Sequence, residues 1–111
     1  MGDTFVVHTK KEMFDKVSKH LLTQNTRCME NLLCRYRNSE GMKCAIGALI
    51  PDELYSPSME GYIARQLNQQ HNLWPEELNL LASDLQNIHD CYEVSSWNEK
   101  LLRLKKLEKI E

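Results

Sequence analysis

The chain has 111 residues, enough for one domain and too few for a second independent core. Its residues are 41% hydrophobic and 27% charged, the balance of a folded globular protein rather than of a disordered tail. With 14 basic and 16 acidic side chains the formal net charge is -2, which excludes the global basic field that gathers nucleic acid or acidic membrane.

The longest apolar stretch, Cys44 to Pro51, is far too short to span a bilayer. The opening MGDTFVVHTKK lacks a basic leader followed by an apolar core, so no secretory signal is expected, and Val6 breaks the myristoylation pattern. Cys28, Cys34, Cys44 and Cys91 are irregularly spaced and form no C-x-x-C pair. Reduced thiols are expected rather than disulfides, and a structural zinc site has little support.

Phe5 to Val7 is β-prone and reads as an edge strand. Thr9 and Glu12 have capping-box spacing, opening a helix with Met13, Phe14, Val17, Leu21 and Leu22 on one face and ending at Gln24 to Thr26. Residues 27 to 33 fit either a short helix or a loop. Arg35 to Arg37 and Met42-Lys43 flank the turn Asn38 to Gly41 and read as a hairpin, which needs a helix or Phe5 to Val7 beside it to be stable. Cys44 to Leu49 reads as a short helix stopped by Pro51, with Gly47 admitting another backbone closely. Asp52 to Tyr55 reads as a turn. Ser56 and Pro57 then start a helix carrying Met59, Ile63 and Leu67 and ending near His71-Asn72. Trp74 to Glu77 open the next helix, whose stripe is Leu78, Leu81, Leu85, Ile88 and Tyr92. Ser96 and Glu99 cap a last helix docking Trp97, Leu101, Leu104 and Leu107. The predicted fold is α+β and mostly helical: four or five helices packed around a small antiparallel hairpin or three-stranded sheet. It forms a single domain over 1–111, frayed at 1–3 and 108–111.

Phe14 to Gln24 spells F-D-x-V-x-x-H-L-L-x-Q, Cys44 to Tyr55 spells C-A-I-G-x-L-I-P-D-E-x-Y, and Leu85 to Asp90 spells L-Q-x-x-H-D ahead of Trp97. Together these runs resemble a family of small proteins encoded by bacteriophages and prophages, over about residue 12 to about residue 104. The resemblance implies a cytoplasmic setting in an infected or lysogenic bacterial cell, and it carries no activity with it. Met29 to Leu33 stands where the family pattern has a Gly-rich segment, so a function borne by that loop need not transfer.

Four groups of residues could carry chemistry. Cys44 at a helix start, with His89 as base, has the composition of a cysteine hydrolase or transferase. Against it, Asp90 follows His89 on a helix and points about 100° away, no oxyanion loop is evident, and free cysteine is among the most buried residue types. His71, His89, Asp90 and Cys91 could ligate a metal, but three consecutive helical residues diverge. Asp52, Glu53 and Glu60 could do acid-base work or hold Mg²⁺, while acids after a proline are also favoured locally as a turn and helix start. Arg35, Tyr36 and Arg37, with Lys43 across the hairpin, could grip phosphates or a protein; alternation instead puts Tyr36 in the core and the arginines in water.

The expectation is therefore a phage accessory protein, of the host-takeover kind, that binds a host or phage protein without catalysis, cofactor or metal. Its contact residues are Arg35, Arg37, Asp52, Glu53 and Tyr55. Nucleic acid is the less favoured partner, no membrane is expected, and self-association stays open. The alternative is the enzyme with Cys44 as nucleophile and His89 as base.

Overall fold

The structure is a computed structural model that describes residues 5–111. Among these residues it holds four α-helices and one two-stranded antiparallel sheet, a mostly helical α+β fold. The fraying expected at 1–3 lies outside the described residues.

Helix α1 (Lys10–Gln24) buries Met13, Phe14, Val17 and Leu21, the i, i+4, i+8 stripe of an amphipathic helix, whereas Leu22 is exposed. The Thr9 hydroxyl accepts the Glu12 N–H at 3.1 Å, and Glu12 reaches back one residue further than a capping box requires, to the His8 N–H at 2.7 Å. Asn25, in the left-handed region at φ 51°, ends the helix.

The sheet forms upstream of the predicted hairpin. Strands β1 (Met29–Glu30) and β2 (Leu33–Cys34) pair through Asn31 and Leu32, both at positive φ (55° and 68°), and the Arg35 N–H extends the ladder to the Cys28 carbonyl. This is the backbone of a type I′ turn, whose usual second residue is glycine. The expected hairpin at 35–43 is reduced to a single bridge between Arg37 and Lys43. The reason is local: successive N–H groups of Tyr36 and Arg37 both turn onto the Glu60 carboxylate, at 2.9 and 3.2 Å, which strand alternation forbids. Phe5 to Val7 adds no third strand; the Val6 N–H bonds the Leu73 carbonyl in a loop.

Cys44 to Leu49 tightens into a 3₁₀ turn at Gly47–Leu49 instead of a full helix. The helix expected from Pro57 is divided. A 3₁₀ turn, Pro57–Met59, is capped by the Ser56 hydroxyl and stops at Gly61, whose φ of 91° suits glycine; α2 (Ala64–His71) begins only after it. Ile63 is thus at a helix start and exposed rather than on the buried face. Helix α3 (Asn79–Cys91) follows a 3₁₀ turn at Glu76–Leu78 and buries Leu81, Leu85 and Ile88, while Tyr92 lies beyond its end and half exposed. Helix α4 (Trp97–Leu107) lacks the predicted Ser96 cap and instead continues a 3₁₀ turn, Val94–Ser96; Leu107 is exposed.

Helices α1, α3 and α4 pack on one another around Trp97, and α2 covers α3 beside Trp74; both tryptophans are fully buried. Residues 108–111 turn back on the end of α4. Lys109 is left-handed (φ 56°), its N–H bonds Lys106 O, and the Ile110 N–H reaches back to Lys105 O at 3.0 Å, a Schellman closure that buries Ile110. Among the described residues, no helix is long and apolar enough to cross a membrane.

Candidate functional site

Glu60 organises the surface on which the predicted contact residues meet. One carboxylate oxygen accepts the Tyr36 N–H and lies 3.3 Å from Arg35 Nε; the other accepts the Arg37 N–H and, at 2.7 Å, the Tyr55 hydroxyl. Burial and this carboxylate push the Tyr55 hydroxyl up to about 12. Arg37 lies over the Tyr55 ring at 4.9 Å, donates to the Ile50 carbonyl at 2.5 Å and pairs with Asp52 at 2.9 Å. Asp52 also takes Lys43 at 3.2 Å, and Lys43 and Arg37 hold its carboxyl below the ordinary value.

Four of the five predicted contact residues, Arg35, Arg37, Asp52 and Tyr55, are therefore gathered, and Glu53 stands exposed in the adjacent turn without joining them. Their disposition corrects the expectation of solvated arginines. The Arg37 side chain is only 15% exposed and spans from the bridge residues to the end of the 3₁₀ turn, so it fastens the fold. Tyr36 is buried as expected, with its hydroxyl donating to the Tyr62 carbonyl.

Beside Glu60 a cavity of about 300 Å³ opens between β2, the Gly61–Ala64 segment and α3, lined among others by Cys34, Tyr62, Gln86 and Asp90. At its edge His89 and Asp90 are in contact: Nδ1 and the Asp90 carboxylate are 2.7 Å apart, although they are helical neighbours. The side chains reach past the divergence of their Cα–Cβ bonds, contrary to the expectation that Asp90 could not orient this imidazole. His89 Nε2 accepts the Cys28 N–H at 2.9 Å, so the neutral ring carries its proton on Nδ1 and donates it to Asp90. The ring is fully buried and stacks on Trp97 at 5.5 Å. Burial acts against the Asp90 charge; hydrogen bonds from His89 and Gln86 outweigh it and hold the carboxyl below its ordinary value.

The thiol that joins this pair is Cys34, not the predicted Cys91: ligand atoms of Cys34, His89 and Asp90 lie within 4.8 Å of one another. Nothing in its spacing from residue 89 signals this, because the hairpin turn brings it there. The donor set fits a metal poorly. For Nδ1 to offer a lone pair, the proton would have to sit on Nε2, against the Cys28 N–H. Burial, then Asp90, raises the Cys34 thiol, so it rests protonated beside the carboxylate.

Cys44 is fully buried, its sulfur accepts the Gly47 N–H at 3.2 Å, and burial pushes its thiol far up. His89 has both ring nitrogens engaged elsewhere, so the two members of the alternative catalytic pair have no free functional atom for each other. Thiol labelling of the folded protein is expected to modify exposed Cys91 first and half-buried Cys34 slowly, and to spare Cys28 and Cys44 until denaturant is added. Rapid labelling of Cys44 below neutral pH would revive the nucleophile.

The most exposed apolar feature of this region is one that the sequence left ambiguous. Leu32, at the turn of the hairpin, is 92% exposed and Leu33 66% exposed. Compared with family models, curated proteins and solved structures, the chain matches none.

Proposed function

We propose that the protein works by binding a host or phage protein in the bacterial cytoplasm, without catalysis, and that the hairpin tip at Leu32-Leu33 is the contact. The observation that carries this reading is the combination of exposure and backbone at Leu32. A leucine in the left-handed region costs about 1–2 kcal/mol relative to glycine, and a leucine almost wholly in water returns nothing to the core. Strain kept where folding gains nothing is a mark of recognition surfaces. The resemblance to phage-encoded proteins gives the setting, and Arg37, Tyr55 and Glu60 hold the base of the hairpin rigid behind the tip.

Leu32→Gly separates recognition from folding. It is expected to raise the thermal midpoint, because glycine accepts the turn, while it reduces capture of a discrete partner from bacterial lysate. Leu33→Asp should also reduce capture, at little cost to stability. Undiminished capture by both variants would sink the proposal.

A further inference from the structure

We infer a second recognition site on the opposite side of the Lys43 segment: a basic groove that takes an acidic stretch of a protein partner. The groove, about 360 Å³, is lined by Lys16, Lys19, His20 and Thr23 of α1 together with Lys43 and Ala48. Its shape follows from backbone pairing. The Gln24 side chain accepts the Lys43 N–H and donates to the Lys43 carbonyl, both at 2.9 Å, and His20 Nε2 meets the same carbonyl at 2.8 Å. This clamp fixes the Lys43 backbone against α1, so that Lys43 lines the groove with Lys16 and Lys19.

Like charges so placed repel unless something neutralises them. Among the described residues, Lys16 and Lys19 have no carboxylate within ion-pair distance, and Lys43 shares the one it has, Asp52, with Arg37. The potential is felt by His20: burial first, and then the charges of Lys43 and Lys16, outweigh its hydrogen bond to the Lys43 carbonyl and hold its imidazole below the usual 6.5.

The chemistry selects among anions. The lining has no arginine fork to grip phosphate and no Phe, Tyr or Trp ring for a base to stack on, and the N–H groups of α1 behind it are spent within the helix. Flexible ammoniums spread over an open groove suit carboxylates spaced along an extended peptide. The site is independent of the leucine tip.

The test is fluorescence anisotropy with labelled hexaglutamate, using the full chain, Lys16→Glu/Lys19→Glu and Leu32→Gly. Both lysines are exposed, so the double variant should melt like the native protein. The native chain is expected to bind saturably, with affinity falling about tenfold or more in the double variant and severalfold between about 50 and about 200 mM salt. Leu32→Gly should bind hexaglutamate as the native chain does, whatever becomes of partner capture. No saturable binding by the native chain, equal binding by the double variant, or tighter binding of a single-stranded oligonucleotide of equal charge overturns the inference.

Discussion

Gly47→Ala is expected to destabilise the protein by about 3 kcal/mol, the upper part of the range for an overpacked site. Helix propensity alone argues the other way, since alanine gains roughly 1 kcal/mol over glycine in a helical turn. Sterics win because of what the methyl meets. A Cβ at this position would overlap the Tyr36 carbonyl oxygen and lie 2.9 Å from its carbon, and these are backbone atoms that cannot rotate aside. The same carbonyl accepts the Cys44 N–H at 3.1 Å, so moving it breaks a hydrogen bond as well. Urea denaturation should show a lower midpoint at an unchanged slope. An unchanged or higher midpoint would mean that the Tyr36 segment yields to the methyl.

Glu60→Ala is expected to cost about 3–4 kcal/mol, as for breaking a partly buried charged network. The carboxylate is 13% exposed and serves two backbone N–H groups, a phenol and a guanidinium. Alanine leaves all four behind. Glu60→Gln retains one acceptor oxygen but turns an amide N–H₂ toward donors, and should lose about 1–2 kcal/mol. Amide exchange gives the local signature: Tyr36 and Arg37 should lose protection ahead of the α3 core. If both variants melt like the native chain, the carboxylate is not the hub that the geometry describes.

The helices were legible wherever a single periodicity governed them. The stripes Met13, Phe14, Val17, Leu21 and Leu81, Leu85, Ile88 predicted α1 and α3 because burial of one face dominates their energetics. The hairpin was not legible. A turn signal depends on residues that tolerate positive φ, and Leu32 is among the poorer ones, whereas Asn38–Gly41 has the right composition but little ladder. Glu60 read as a local acid because its partners lie 23 and 24 residues upstream. The site was half visible: Arg35, Arg37, Asp52 and Tyr55 do gather, yet Cys34 beside His89 follows from the sheet and not from spacing. The solvation expected of the arginines gave way at Arg37 to carbonyls that only the folded 3₁₀ turn presents.

Because a distant carboxylate stands in for a missing strand, the order of folding is constrained. The two residue pairs of β1 and β2 are too few to hold a hairpin alone. The N–H groups of Tyr36 and Arg37 find their acceptor only after the chain through Glu60 has closed a loop of more than twenty residues. Helices α1 and α3 can each form on local contacts before that closure, whereas their docking on one another joins segments still further apart in the chain. The hairpin thus waits on Glu60, and its formation reports that this loop has closed.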